Sequence, residues 1–276
     1  MASDTGPFER MEAFFTARGY ETHRHDTYAI GITLNGAQSF HYRGALRTSL
    51  PGNGTMVLHP DEPHDGQAGA EDGFHYRMIY VEPSAIQDVL RGRPLPFIDG
   101  GISADPRLRA ATSALLPDTG DRIERLEYED GIFDLAQALA TAGAAASPEH
   151  RRRFIDYTAC ERARQWLDAC PATNVSLEEL ELAAGKDRWA LSRDFRRLYG
   201  TSPHRYLVMR RLARVRQSLR CGHSLAAAAI DAGFTDQSHM TRHFKKTFGI
   251  SPGRWLATLQ AAGRAQSYNT SAAIGR

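Results

Sequence analysis

Along this chain the spacing of apolar positions changes once, and the change divides it. Between residues 27 and 81 apolar residues come in short alternating or continuous runs: YAIGITL, SFHYR, TMVLH and FHYRMIYV. Turn material separates them, including Asn35-Gly36, Pro51-Gly52-Asn53-Gly54, Asp61-Glu62-Pro63 and Glu71-Asp72-Gly73. Short strands in succession without intervening helices predict an antiparallel barrel or jelly roll. The aromatic-rich residues up to 20 predict an arm or strand packed on it. Past Pro83 the period lengthens. Residues 84–90 read as a short helix and 91–101 as a Pro/Gly-rich loop. A helical pattern opens at Asp105-Pro106. Ile123, Leu126, Ile132, Leu135 and Leu139 mark a longer amphipathic helix over 123–146.

From residue 154 on, the pattern is helical throughout. One helix spans 154–167. A second starts after the cap Ser176 and turns at Gly185 into a third over 188–199. A long helix over 203–220 leads to an Ala-rich run over 225–232 capped by Ser224. Gly233 supplies the positive φ that a turn between helices needs. The next helix, capped by Asp236 or Ser238, carries Met240, Phe244 and Phe248 and stops at Gly249, with Pro252 just beyond. A short helix, a glycine turn and a helix bearing polar and basic residues is the layout of a DNA-binding helix-turn-helix. The layout recurs. Phe195-Arg-Arg-Leu-Tyr-Gly200-Thr-Ser-Pro203 matches Phe244-Lys-Lys-Thr-Phe-Gly249-Ile-Ser-Pro252, displaced by 49 residues, and Gly185 matches Gly233. Two such units joined by one long helix can set two reading helices into successive turns of one groove.

The resulting fold class is α+β with two domains. An antiparallel β-barrel occupies 1–100 and a helical linker, the candidate dimer surface, 101–150. The tandem helix-turn-helix domain occupies 151–262 and a flexible tail 263–276. The AGAAASP stretch over 142–148 is the expected boundary between the halves. Charge follows the same division. Up to residue 150 there are 12 Lys/Arg against 22 Asp/Glu, and after it 22 against 10. The basic half has the footprint of a polyanion binder. No apolar run is long enough for a membrane span, and the first residues lack the pattern of a secretory signal. Three cysteines without metal-ligand spacing suit a reducing cytoplasm.

Residues 155–260 resemble the DNA-binding domain of the AraC/XylS family of bacterial transcription regulators, on the segments LSRDFRRLYGTSPHRYLVMRRL and AGFTDQSHMTRHFKKTFGISP. The acidic half resembles the cupin-like sensor domain found ahead of that module, on ETHRHDTYAIGITLNG and GTMVLHPDEPHDG. The resemblance implies a cytoplasmic regulator that binds promoter DNA, takes a small metabolite in the barrel and works with RNA polymerase, with a homodimer through the linker among the implied arrangements. It departs from the family at Glu181 and Lys186, where a small and an apolar residue are usual. Buried without partners these charges would cost several kcal/mol. Helix 177–183 is therefore expected to shift, or the two groups to reach solvent or pair with each other, and the second unit is expected to be the better formed.

Spacing and resemblance together select the DNA-reading residues. Arg188, Trp189, Ser192 and Arg193 belong to the first helix, and Gln237, Ser238, His239 and Arg242 to the second. Arg193 and Arg242 suit guanine, Gln237 suits adenine and Trp189 a thymine methyl. Arg196, Lys245 and Lys246 suit phosphates. Phe195, Leu198, Phe244 and Phe248 belong to the core. In the acidic half the ligand-binding candidates are His23, His25, Tyr28, His41, Arg43, His64, His75 and Arg77, with Ile30, Ile32 and Tyr80 sharing the alternation. His and Arg among aromatics suit a small polar or anionic ligand. No cofactor is expected. If a metal is held, His23, His25 and His64 hold it, although Ala29 and Ile30 stand where a cupin carboxylate would follow. No catalytic nucleophile arrangement is legible and the chain is read as no enzyme. The alternative reading is a metal-dependent cupin enzyme fused to a DNA-binding module.

Overall fold

The computed structural model describes residues 2–3, 9–16, 18–118, 123–144, 155–169, 171–172 and 175–257. The boundary expected at 142–148 lies mostly outside these residues, and the tail expected at 263–276 wholly so.

Among the described residues of the first half there are ten strands. They are β1 (Ala2–Ser3), β2 (Glu9–Phe15), β3 (Arg18–His23), β4 (Tyr28–Gly36), β5 (Gln38–Tyr42), β6 (Ala45–Ser49), β7 (Thr55–Leu58), β8 (His64–Ala68), β9 (Phe74–Val81) and β10 (Ile102–Ser103). All pairings are antiparallel, in one sheet of order β1-β2-β9-β4-β7-β10 and another of order β3-β8-β5-β6. The expected barrel thus takes the form of two sheets packed face to face, and the expected N-terminal arm supplies β2 and β3.

Alternation along the strands assigns two apolar faces. Ala29, Met56, Leu58, Phe74, Tyr76 and Met78 meet Phe40 and Tyr42 between the sheets. Their neighbours Tyr28, Ile30, Val57, Ile79 and Val81 face the opposite way, into a second core. That core is closed by α1 (Pro83–Leu90), α2 (Pro106–Ala114) and α3 (Arg125–Ala144). Asp105 caps α2 by accepting from the Arg107 and Leu108 N–H groups. Tyr28 and Ile30 therefore pack under helices rather than lining the space between the sheets. Strands covered on both faces are apolar nearly throughout, so the pattern alone could not orient them.

The second half contains α4 (Tyr157–Ala169), α5 (Leu177–Ala184), α6 (Arg188–Tyr199), α7 (Pro203–Arg220), α8 (Leu225–Asp231) and α9 (Gln237–Phe248). Leu167, Leu180, Leu191, Phe195, Leu198 and Tyr199 form one core with the first turns of α7. Leu212, Val215 and Leu219 of α7 form another with Ala228, Ala229, Phe234, Met240 and Phe244. One long helix is thus shared by both units.

Positively charged residues of α7 also bind the acidic half. Arg205 pairs with Asp61, Arg210 with Asp26 and Glu82, and Arg216 with Glu9. Part of the basic charge that composition assigns to a polyanion is thus engaged inside the molecule. Among the described residues no helix is long and apolar enough to cross a membrane.

Candidate nucleic-acid interface and effector cavity

Each reading helix is set by local chemistry. Ser176 and Glu179 form a reciprocal capping box at the start of α5. Gly185 ends α5 at φ 63°. Asp187 then caps α6 through the Trp189 and Ala190 N–H groups, each at 3.1 Å. In the second unit Ser224 caps α8, and Asp236, not Ser238, caps α9 through the His239 N–H at 2.7 Å. Gly233 turns at φ 88°. Gly200 and Gly249 end α6 and α9 with nearly the same dihedrals, φ 73° and ψ −8° against φ 71° and ψ −11°. The sequence repeat is a repeat of backbone geometry.

The burial pattern separates most of the expected reading residues from the core. Arg188, Trp189, Arg193 and Arg196 are exposed on α6, with Trp189 71% accessible. Ser192 is half-buried and accepts from Arg196. On α9 Gln237, Ser238, Arg242, Lys245 and Lys246 are exposed. His239 is turned toward the protein. It lies edge-on to Phe234 at 5.6 Å and shares a proton with His243 at 3.0 Å, a partner four residues on that the sequence reading did not single out. Replacing Arg242 with Ala is expected to weaken operator binding by ~1–3 kcal/mol. A gel-shift titration at fixed salt measures this, and unchanged affinity takes the residue off the reading surface.

Glu181 and Lys186 do not pair with each other, and neither is stranded. The Glu181 carboxylate accepts from the Arg188 N–H at 2.7 Å and lies 3.4 Å from the Arg188 side chain. Lys186 reaches Asp194 at 3.0 Å and Asp156 at 3.4 Å. These contacts raise the Lys186 pKa and keep it charged despite desolvation. Both charges are absorbed locally, which removes the reason for expecting the first unit to be the weaker. Arg188 is in turn partly engaged by Glu181.

The ligand-binding candidates divide into three groups. His41 is exposed and bonded to Asp65. His75 and Arg77 both bind Glu12 on β2, and Arg77 also reaches Asp118. These three are not brought into a common site. Each is engaged by a carboxylate from another strand or a loop, which its own position in the sequence does not reveal. His23, His25 and His64 come together, with ligating nitrogens all within 4.8 Å of one another. Tyr28 and Arg43 line a cavity of about 620 Å³ between the two halves.

The cavity joins distant parts of the chain. Arg43, His59, Pro60 and Glu62 come from the β-domain, and Leu90 and residues 93–97 from α1 and the loop after it. Ala140, Gly143 and Ala144 belong to α3, and Arg196, Arg197 and Gly200 to α6. Its inner wall is tied together by hydrogen bonds and stacked rings. The Ile98 N–H donates to His59 Nε2 at 2.9 Å, and the other ring nitrogen of His59 bonds to Tyr42. Phe97 stacks on His59 at 4.2 Å, and Arg43 lies 4.6 Å from the Phe97 centroid. Burial drives the His59 pKa down to about 3, so the ring is neutral. The Leu95 N–H donates to the Arg197 carbonyl at 2.9 Å, tying the loop to α6. Arg197 Nη1 is buried without a hydrogen-bond partner. Sequence reading did not select Phe97 or Arg197 as ligand contacts. Only the high density of proline in the loop 93–97 hinted that this segment is held in a fixed shape.

Comparison with known proteins agrees with this architecture. The model of an AraC-like ligand binding domain matches residues 5–127, and that of a helix-turn-helix domain matches residues 180–258. An uncharacterized HTH-type transcriptional regulator of Bacillus subtilis, YbfI, is 24% identical over 232 residues, covering 80% of this chain and 81% of its own. The solved structure of ToxT from Vibrio cholerae shares the fold at TM-score 0.60 and 12% identity, covering 90% of this chain and 97% of its own. An unsaturated fatty acid-bound ToxT structure matches at TM-score 0.62 and 12% identity, covering 92% and 96%. With a ligand-binding β-domain followed by two helix-turn-helix units on one shared helix, the chain belongs to the AraC/XylS family of transcription regulators.

Proposed function

We propose that this regulator binds a small amphipathic carboxylate in the cavity between its halves, and that occupancy sets how α6 is presented to promoter DNA. The carrying observation is the cavity wall. Among the described residues Arg43, Arg93, Arg196 and Arg197 face it against Glu62 and Asp99, and Leu90, Leu95 and Phe97 supply apolar area. Arg197 Nη1, desolvated and unpaired, is a donor waiting for an anion. A cavity of about 620 Å³ lies within the range for small-molecule sites. The neighbour ToxT has been solved with an unsaturated fatty acid, which supports the same chemical class here. Because Arg196, Arg197 and Gly200 lie on or at the end of α6, a ligand favouring one placement of that helix changes DNA affinity by linkage.

The reading has the chain act by binding, without catalysis, in the cytoplasm. The space between the sheets is filled by Phe40, Tyr42, Met56, Leu58, Phe74, Tyr76 and Met78, which supports a sensor over a cupin enzyme. RNA polymerase and a second copy of the chain are the proposed protein partners. Leu126 and Phe133, 70% and 53% exposed and one heptad apart on α3, support the dimer, and sedimentation at rising concentration tests it.

The test of the cavity uses a C16 or C18 unsaturated fatty acid and its methyl ester. The acid is expected to bind and to change operator affinity. Arg197→Gln should weaken it about 10- to 100-fold, the worth of one charge-assisted hydrogen bond. Equal binding of acid and ester, or of wild type and variant, overturns the proposal.

A further inference from the structure

The three histidines the cavity does not use form a site of their own. His23 and His64 are directly opposed across the β3–β8 pair, and His25 follows two residues on. Their ring centroids lie 4.5, 4.8 and 6.0 Å apart. Every Nδ1 is already used. His23 Nδ1 bonds the Glu21 carbonyl at 3.0 Å, His25 Nδ1 the Thr27 carbonyl at 2.8 Å and His64 Nδ1 the Glu62 carbonyl at 3.0 Å. A carbonyl only accepts, so each Nδ1 carries the proton and each Nε2 presents a lone pair. Backbone carbonyls holding the second nitrogen are what orients and enriches a metal-ligating imidazole.

With every Nδ1 engaged, the Nε2 atoms are the ones left to bind, and the protein supplies no donor to the His25 Nε2, which is buried and unpartnered. His25 itself is 8% exposed. Tyr20 lies edge-on to His23 and His64, and Tyr80 to His25, so the rings are held by aromatic walls.

We infer that His23, His25 and His64 bind one divalent transition-metal ion, of the zinc class, through their Nε2 atoms. Three imidazoles and no carboxylate select such ions over magnesium or calcium. Ligands at ~2.1 Å from a tetrahedral ion stand roughly 3.4 Å apart. Rings whose ligating atoms already lie within 4.8 Å of one another reach this by small rotations. Remaining coordination positions fall to water or a small anion on the half-buried His23 side.

The position gives the ion a regulatory reach. A Cβ on Gly249, at the end of α9, would lie 3.5 Å from the His23 Cβ. The Arg24 N–H donates to the Thr247 carbonyl at 3.4 Å. An ion that draws His23 inward thus acts on the strand against which the second reading helix ends, apart from the effector cavity at α6.

The experiment uses the full chain without a histidine tag, stripped with a chelator, and titrated with Zn²⁺ and with Co²⁺ as a chromophoric substitute. One ion per chain is expected after dialysis, with visible ligand-field absorption for Co²⁺ and a raised melting temperature. Loss of an outer-shell partner alone costs 10- to 100-fold in affinity, so His25→Gln and His64→Ala should lose at least ~100-fold. His23→Gln, on the more exposed side, repeats the test should a buried variant fail to fold. His41→Ala, outside the cluster, should bind as wild type. A stoichiometry unchanged in the cluster variants, or no ion retained at micromolar concentration, overturns the site. Operator affinity equal with and without Zn²⁺ overturns its reach to α9.

Discussion

Replacing Arg210 with alanine is expected to cost about 3–5 kcal/mol of stability and to loosen the two halves from each other. Arg210 Nη2 reaches Asp26 at 2.6 Å and the two Glu82 oxygens at 3.0 and 3.2 Å. Its guanidinium also lies 5.0 Å from the Tyr206 ring centroid. Burial, and then the Asp26 charge, push the Glu82 carboxyl above its ordinary value, and Arg210 opposes both. Without the guanidinium the buried Asp26 carboxylate faces the partly exposed Glu82 carboxylate. The pH dependence follows from that direction. A carboxyl whose folded-state pKa is raised contributes stability that is present below its unfolded value near 4.5 and lost as pH rises through the raised one. The defect is therefore largest at neutral pH and shrinks on acidification, and Glu82→Gln in the same chain restores part of it. Urea unfolding at neutral and mildly acidic pH reads both effects. A loss under ~1 kcal/mol, independent of pH, would mean that the bridge is a solvated surface pair.

Phe195→Ala and Phe244→Ala are each expected to cost about 3–5 kcal/mol and to abolish operator binding. Both rings are 0% exposed. Phe195 packs 4.6 Å from Tyr199 and 5.6 Å from Tyr206. Phe244 packs 4.5 Å from Phe248 and 5.9 Å from Trp255. Similar costs are the informative outcome, because the unusual charges in the first unit suggest from sequence a weaker partner. Around Phe195 the structure instead places Glu161, which binds Arg164, Tyr199 and Gln165 and whose pKa is held down to about 2 by those contacts. If Phe195→Ala costs less than half of what Phe244→Ala does in parallel unfolding titrations, the first unit is loosely packed after all.

How far each feature could be read in advance depended on the range of the interaction behind it. The tandem helix-turn-helix was legible because its determinants are local. Caps at Ser176 and Ser224, positive-φ glycines at 185, 200, 233 and 249, and a 3.6-residue apolar period act within one or two turns. The β-character of the first half was legible for the same reason, through its turns. The rotation of β4 was not, because its sheet is covered on both sides and alternation lost its contrast. Glu181 and Lys186 read as unpartnered until Arg188, Asp156 and Asp194 were in place around them.

By itself, then, the sequence determined that two helix-turn-helix units exist, most of the residues that their second helices expose, and that an acidic β-domain precedes them. The tertiary structure alone decided where a ligand has room, since the cavity wall joins Arg43 to Arg197 across more than half the chain. It decided that Arg205, Arg210 and Arg216 serve the acidic half rather than DNA. It also decided that His23, His25 and His64 stand with one ring nitrogen each within 4.8 Å of the others. The physical reason is common to all three. Periodicity and caps report the energy of neighbours in the chain, whereas cavities, ion pairs between halves and a cluster of histidines depend on neighbours that only folding brings together.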